Sequence, residues 1–110
     1  MVYVDKDTVL CCSFSSKAGS FGCFVHNEAY KYIGLNYIYK SFSVDNLEKA
    51  LDSMRLLNIR GAGISMPYKF EVLKHVDKVD FLVEKIGNAN TVVNINGVLK
   101  AYNTDYYSVK

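Results

Sequence analysis

A lysine follows the chain's only proline, where a short apolar run is predicted to change from strand to helix. The run is Gly61-Ala62-Gly63-Ile64-Ser65-Met66-Pro67-Tyr68-Lys69. Proline is tolerated at the first position of a helix, so Lys69 is predicted to lie in the first helical turn. The positive end of the helix dipole disfavours a cation there, which suits a lysine for acid–base chemistry. An exposed lysine that points away from the helix is the alternative interpretation.

Other polar residues follow the predicted carboxyl ends of strands. Together with Lys69 they are Ser20, Ser65, Asn103 and Asp105. Ligands of open α/β sheets bind outside these strand ends, so the pattern predicts a binding site. Ser20 and Asp105 could equally cap helices. Asn90 and Thr91 are further polar residues at the end of an element, although they could simply begin a strand.

Length and composition indicate one globular domain. The chain has 110 residues, of which 50% are hydrophobic and 22% are charged, with a net charge of +2. The lysines are spread along the chain, which disfavours a nucleic-acid or membrane-surface partner. No apolar run approaches the roughly 20 residues that span a bilayer. The charged N-terminus lacks the pattern of a signal peptide, so we expect a cytoplasmic location.

The cysteines predict neither a disulfide nor a metal site. Cys11 and Cys12 are adjacent, a spacing that suits neither a normal disulfide nor a CxxC metal clamp. We interpret both as small core residues. Cys23 lies near the start of the first predicted helix, where the pKa of a thiol can fall, although a buried thiol is the simpler interpretation.

Apolar periodicity predicts two helices between the first three strands. The strands are predicted at residues 8–13, 37–42 and 62–66. The first helix, at residues 20–34, carries an apolar side formed by Phe24, Val25, Ala29, Tyr32 and Ile33. The second begins at a capping box formed by Asp45 and Glu48. Its apolar stripe consists of Leu47, Ala50, Leu51, Met54 and Leu57.

The later elements complete an α/β fold with a mixed, mostly parallel sheet and helices on both faces. Helices are predicted at residues 68–75 and 79–86, and a C-terminal antiparallel hairpin turns at Asn96-Gly97. Gly61-Ala62-Gly63 precedes a strand instead of following one, so it is not a dinucleotide fingerprint.

Four ordered segments resemble the N-terminal, substrate-binding domain of the shikimate dehydrogenases. They are Ser20 with His26-Asn27, the run GAGISMPYK, the run IGNANTV at residues 86–92, and Asn103-Thr104-Asp105. The pieces LCCSFS, SFG, FVHN, GLNYIYKSF and AYNTDY are closest to the shikimate dehydrogenase-like branch. The resemblance covers nearly the whole chain and implies the aminoacid dehydrogenase-like N-terminal fold.

The resemblance also implies an activity. Members of the family reduce 3-dehydroshikimate to shikimate with NADPH, reversibly. It assigns Lys69 and Asp105 as an acid–base pair beside the reacting hydroxyl. It places the substrate's carboxylate and hydroxyls among the positions Ser20, Gly22, Ser65, Asn90, Thr104 and Asp105.

Three segments depart from the family pattern. Gly22 stands where the second serine of Ser-x-Ser-Pro is usual, so one hydroxyl donor to the substrate carboxylate is lost. Gly63-Ile64-Ser65 replaces Asn-Val-Thr, and Tyr106 replaces a glycine. A related hydroxylated carboxylate, such as quinate, is therefore an alternative substrate to shikimate.

The resemblance divides the chain into a substrate-binding domain at residues 1–102 and, at residues 103–110, the start of a helix that leads to an absent nicotinamide-binding domain. NADP or NAD would serve the full-length protein, and this chain alone is expected to bind neither and to be inactive. A stand-alone carboxylate-binding domain and an oligomerisation module that forms a homodimer remain open.

Overall fold

A computed structural model describes residues 3–105 of the chain. Within this range the strands are β1 (Val9–Ser15), β2 (Tyr37–Ser43), β3 (Gly61–Ile64), β4 (Lys78–Val79), β5 (Thr91–Ile95) and β6 (Val98–Tyr102). The α-helices are α1 (Phe21–Ile33), α2 (Leu47–Leu57), α3 (Tyr68–Glu71) and α4 (Phe81–Ile86), and a 3₁₀ turn at Val72–Lys74 follows α3. Thr104 and Asp105 are helical, and the rest of the helix predicted at residues 103–110 lies outside the described residues.

The strands form one sheet in the order β2-β1-β3-β5-β6-β4. β1 pairs in parallel with both β2 and β3, so helices connect strands of the same direction in this part of the sheet. β5 pairs antiparallel with β3 and with β6, while β4 adds a parallel pair to β6. The predicted mixed α/β sheet is therefore confirmed. The strand β4 was not predicted, because two residues are too few to show an alternating pattern.

The C-terminal hairpin forms at the predicted turn. Ile95 lies opposite Val98, and the two turn residues Asn96 and Gly97 have φ angles of 53° and 88°. Positive φ at both central positions suits asparagine followed by glycine, and its twist matches that of the strands. This hairpin places the ends of β5 and β6 beside β3.

Helix α2 supplies much of the core. Leu47, Ala50, Leu51 and Met54 are buried, as predicted, but Leu57 is 64% exposed and the prediction for it is wrong. The predicted capping box is also wrong, because Asn46 is the N-cap and its Oδ1 accepts from the Lys49 N–H at 2.9 Å. Leu57 is the last residue of the helix, beyond the buried part of the stripe.

Helix α1 presents its apolar side to solvent. Phe24, Tyr32 and Ile33 are 66%, 94% and 67% exposed, so the predicted apolar side of this helix does not pack against the described residues. The side that faces the sheet is polar instead. Asn27 pairs with the backbone of Tyr39, donating to its carbonyl at 2.9 Å and accepting from its N–H at 2.8 Å. The sulfur of Cys23 accepts from the N–H of Ser41 at 3.1 Å.

The two faces of the sheet differ in character. Cys12 and Phe14 of β1, with Ala62 and Ile64 of β3, are buried in the hydrophobic core. Burial raises the pKa of the Cys12 thiol to about 12, which fits its predicted role as a small core residue. The alternate residues of both strands point to the opposite face. No helix within residues 3–105 is both long and apolar enough to cross a bilayer.

Candidate functional site

A cleft of about 540 Å³ opens on the face of the sheet opposite the core, at the carboxyl ends of β1 and β3. Its walls come from four parts of the chain: β1 and the loop after it, the start of α1, β2, and the segment from β3 into α3. Asn90 and Asp105 complete it from the far side. The lining residues are Ser13, Ser15, Ser16, Lys17, Gly19, Phe21, Gly22, Tyr39, Ser41, Gly63, Ile64, Ser65, Met66, Lys69, Asn90 and Asp105.

Lys69 and Asp105 meet in this cleft. The Lys69 Nζ lies 3.7 Å from the Asp105 Oδ2, with 30% of the lysine side chain and 67% of the aspartate side chain exposed. Lys69 is the second residue of α3, one position earlier than a proline at the first helical position would place it, because Pro67 is the N-cap of that helix. The two groups are 36 positions apart in the sequence, so the fold brings them together.

A polar network holds the backbone that carries Asp105. The Asp105 N–H donates to the Asn103 Oδ1 at 3.0 Å, and the Asn103 amide donates to the Asn88 Oδ1 at 2.8 Å. Asn103 is only 5% exposed, and a buried amide with several partners fixes the local chain direction. The Lys69 carbonyl accepts from the Ala89 N–H at 2.9 Å, which ties α3 to the same loop.

Asn90 links the two halves of the site. Its amide donates to the Thr104 Oγ1 at 3.0 Å, and its Oδ1 accepts from the Thr104 N–H at 3.0 Å. Its backbone carbonyl accepts from the Ile64 N–H at 2.8 Å, next to the predicted residue Ser65. Thr104 is therefore hydrogen-bonded to a residue of the cleft wall, Asn90. Among the described residues, the Thr104 side chain itself does not line the cleft.

The start of α1 contributes differently from what the sequence suggests. Gly22 lines the cleft, as do Gly19 and Phe21. Ser20 is exposed at the N-cap of α1 and makes no capping hydrogen bond through its side chain. It does not line the cleft among the described residues, so its substrate contact stays a prediction. Tyr106, predicted to add bulk, lies outside the described residues.

Sequence reasoning missed the floor of the cleft. Ser13 of β1 lies opposite Ser41 of β2, and both residues face α1 with Tyr39. Strand alternation puts residues 39 and 41 on one face, but it does not show that this face lines the cleft. Burial raises the pKa of the Tyr39 phenol above its usual range, partly opposed by a hydrogen bond with Ser13.

The charges suit a small anion. Among the described residues, Lys17 and Lys69 line the cleft against a single carboxylate, Asp105. Around them stand hydroxyl, amide and backbone groups that can bind oxygen atoms of a ligand. In the described part of the chain, no group of three or more His, Cys, Asp or Glu side chains could hold a metal ion.

Comparison with known proteins assigns a family to this architecture. The Shikimate dehydrogenase substrate binding domain family matches residues 18–92. The Shikimate dehydrogenase-like protein of Haemophilus influenzae is 42% identical over 106 residues, which is 96% of this chain and 39% of that protein. The Shikimate dehydrogenase (NADP(+)) of Dehalococcoides mccartyi is 45% identical over 84 residues, 74% of this chain and 29% of that protein.

Solved structures agree with the fold. A shikimate 5-dehydrogenase-like protein superposes with a TM-score of 0.94 at 42% identity, covering 97% of this chain and 40% of that chain. The shikimate 5-dehydrogenase of Listeria monocytogenes, in complex with shikimate and NAD, gives a TM-score of 0.88 at 34% identity, covering 96% and 38%. The chain thus spans about two fifths of the length of these proteins.

Proposed function

The chain belongs to the shikimate dehydrogenase substrate-binding domain family, and from this premise we propose that it binds a small hydroxylated carboxylate and serves an NADP- or NAD-dependent oxidoreductase. Shikimate, quinate or a close relative is the proposed ligand. The observation that carries the proposal is the approach of the Lys69 amine to the Asp105 carboxyl, 3.7 Å apart in a cleft lined by polar groups.

Binding follows from the cleft's chemistry. A carboxylate is attracted by the excess positive charge of Lys17 and Lys69 over Asp105. Ring hydroxyls can exchange hydrogen bonds with Ser65 and with the amide of Asn90, both at the cleft wall. A family relative has been solved with shikimate bound, which supports this class of ligand.

Proton transfer is the step that this chain's residues can perform. A substrate hydroxyl placed between the Lys69 Nζ and the Asp105 Oδ2 would lie within hydrogen-bond reach of both. In the direction of carbonyl reduction, the Lys69 ammonium gives its proton to the oxygen that gains negative charge. In the reverse direction, the neutral amine accepts the hydroxyl proton. Asp105, whose Oδ2 lies 3.7 Å from the amine, orients it.

The run Gly61-Ala62-Gly63 does not form a dinucleotide-binding fingerprint. Gly61 and Gly63 lie within β3, whereas a pyrophosphate site needs glycines in a turn between a strand and a helix. We propose that another part of the intact protein holds NADP or NAD. No step of the proposed proton transfer depends on where that part lies.

Replacement of Lys69 tests the proposal. In the intact protein, we expect Lys69→Ala to reduce kcat for shikimate oxidation by roughly 10²–10⁴-fold with a modest change in KM, because proton transfer is lost. Lys85→Ala is the matched control, since Lys85 lies on α4 and does not line the cleft. Its kcat should stay within about twofold of the parent.

Other outcomes separate the two function classes. If the parent protein binds shikimate or quinate but oxidises no hydroxy acid with either nucleotide, the chain is a carboxylate-binding domain without catalysis. If Lys69→Ala leaves kcat unchanged in an active protein, the acid–base role is refuted.

A further inference from the structure

The phenol of Tyr39 enters the cleft where the family's second serine is missing. Tyr39 belongs to β2, but its side chain reaches across the face of the sheet toward α1 and β3. A Cβ atom added at Gly22 would lie 3.7 Å from the Tyr39 Cε1 and 3.9 Å from its hydroxyl oxygen. The hydroxyl is thus beside the position from which a serine side chain would reach into the cleft.

A second glycine leaves room for the phenol on the other side. A Cβ atom added at Gly63 would lie 3.8 Å from the Tyr39 hydroxyl oxygen and 3.7 Å from the Ser13 Cβ. Both glycines line the cleft, so the phenol oxygen lies between them at its wall. Two of the positions where this chain departs from the family pattern, Gly22 and Gly63, border this oxygen.

Helix α1 fixes the ring in place. The His26 imidazole stacks on the Tyr39 ring, with centroids 4.1 Å apart and planes at 8°. Asn27 holds the Tyr39 backbone through two hydrogen bonds, at 2.8 and 2.9 Å. The His26 Nδ1 in turn lies 2.8 Å from the carbonyl oxygen of Gly22. A ring held from its face and from its backbone loses little entropy when a ligand binds.

The phenol is also in the right chemical form to donate. A phenol is protonated at neutral pH, and burial raises the pKa of Tyr39 further, so the side chain carries an O–H for an anionic acceptor. A neutral donor to a carboxylate makes a charge-assisted bond, which is stronger than a bond between neutral groups.

We propose that the Tyr39 hydroxyl donates a hydrogen bond to the substrate carboxylate, replaces the hydroxyl that Gly22 lacks, and thereby determines which carboxylates the cleft accepts. The inference rests on the proposed function, since it concerns the same ligand. It assigns to β2 a substrate contact that neither the strand-end pattern nor the family resemblance indicated.

Removal of one oxygen atom tests the contact. In the intact protein, Tyr39→Phe keeps the ring stacked on His26 and should weaken shikimate binding by about tenfold or more, measured by calorimetry. Tyr37→Phe is the matched control, because Tyr37 is on the same strand and face but does not line the cleft. It should change the dissociation constant by less than about twofold.

The ligand's own carboxylate provides a second test. The methyl ester of shikimate lacks the negative charge, so Tyr39→Phe should weaken its binding several-fold less than it weakens binding of shikimate. An equal loss for acid and ester would place the Tyr39 hydroxyl away from the carboxylate and overturn the proposal.

A variant that adds a hydroxyl at position 22 tests the same contact without changing Tyr39, and so applies even if Tyr39→Phe does not fold. A serine at position 22 fits beside the ring, since the added Cβ makes only ordinary contacts. If Tyr39 already donates a hydrogen bond to the carboxylate, Gly22→Ser should alter shikimate affinity by less than about twofold. A gain of about tenfold would show that a carboxylate oxygen lacks a donor in the parent protein, and would overturn the proposal.

The remaining outcomes are distinct. If the parent binds shikimate and Tyr39→Phe equals Tyr37→Phe, this inference fails while the proposed function stands. If the parent binds neither shikimate nor quinate, the proposed function fails and this inference fails with it.

Discussion

At the scale of single residues, the cleft combines polar side chains that follow strand ends with a phenol that lies inside a strand. Ser65, Lys69 and Asp105 were found because they follow strand ends, where the edge of a sheet gathers ligand-binding groups. Tyr39 was not found, because it lies inside a strand. Its access to the cleft depends on Gly22 and Gly63, which are distant in sequence, and only the register of the sheet reveals this.

We expect the Cys23 thiol to react faster than the Cys12 thiol. A hydrogen bond with Ser41 lowers the pKa of the half-buried Cys23 thiol, whereas burial raises that of Cys12 to about 12. At a pH below the ordinary thiol pKa of about 8.5, Cys23 therefore has the larger thiolate fraction and iodoacetamide should modify it faster than Cys12. Ser41→Ala should raise the Cys23 pKa and slow this reaction near neutral pH.

Mass spectrometry of the alkylated peptides across a pH series measures this effect. The rates of Cys23 modification in the parent and in Ser41→Ala should converge at alkaline pH, where Cys23 is ionised in both proteins. Modification of Cys12 before Cys23, or identical pH profiles for the two proteins, would contradict this account.

At the scale of elements, the sequence predicted best the pieces whose structure is decided locally. The hairpin follows from Asn96-Gly97, and α2 follows from one continuous apolar stripe. Helix α1 was misread, because periodicity analysis assumes that the apolar side is the buried one. Here the packing partner is the backbone of β2, the outermost strand, and its N–H and C=O groups need polar side chains.

The two sides of α1 should therefore respond oppositely to mutation. Asn27→Ala removes both bonds to the Tyr39 backbone and should lower the free energy of unfolding of the 110-residue chain by about 1–2 kcal/mol. Phe24→Ser, on the exposed side of the same helix, should change it by less than about 0.5 kcal/mol.

Urea denaturation of the two variants and the parent gives the comparison. A larger loss for Phe24→Ser than for Asn27→Ala would mean that the apolar side packs after all, and that α1 is turned relative to the structure described above.

At the scale of the whole molecule, the sheet separates stability from function. One face of β1 and β3 carries Cys12, Phe14 and Ile64 into the core, which α2 closes. The alternate residues Ser13 and Gly63 form part of the cleft on the other face. Because side chains alternate along a strand, the cleft can change its polar groups while the core keeps its packing. The departures from the family pattern at Gly22 and Gly63 fall on the cleft side.

The central claim is that Lys69 and Asp105 act on one oxygen atom of a bound hydroxy carboxylate. A crystal structure of the intact protein with shikimate tests it most directly. We expect one ring hydroxyl within about 3 Å of both the Lys69 Nζ and an Asp105 carboxylate oxygen, with the ligand inside the cleft. Shikimate bound outside the cleft, or with every hydroxyl beyond the reach of Lys69, would contradict the account.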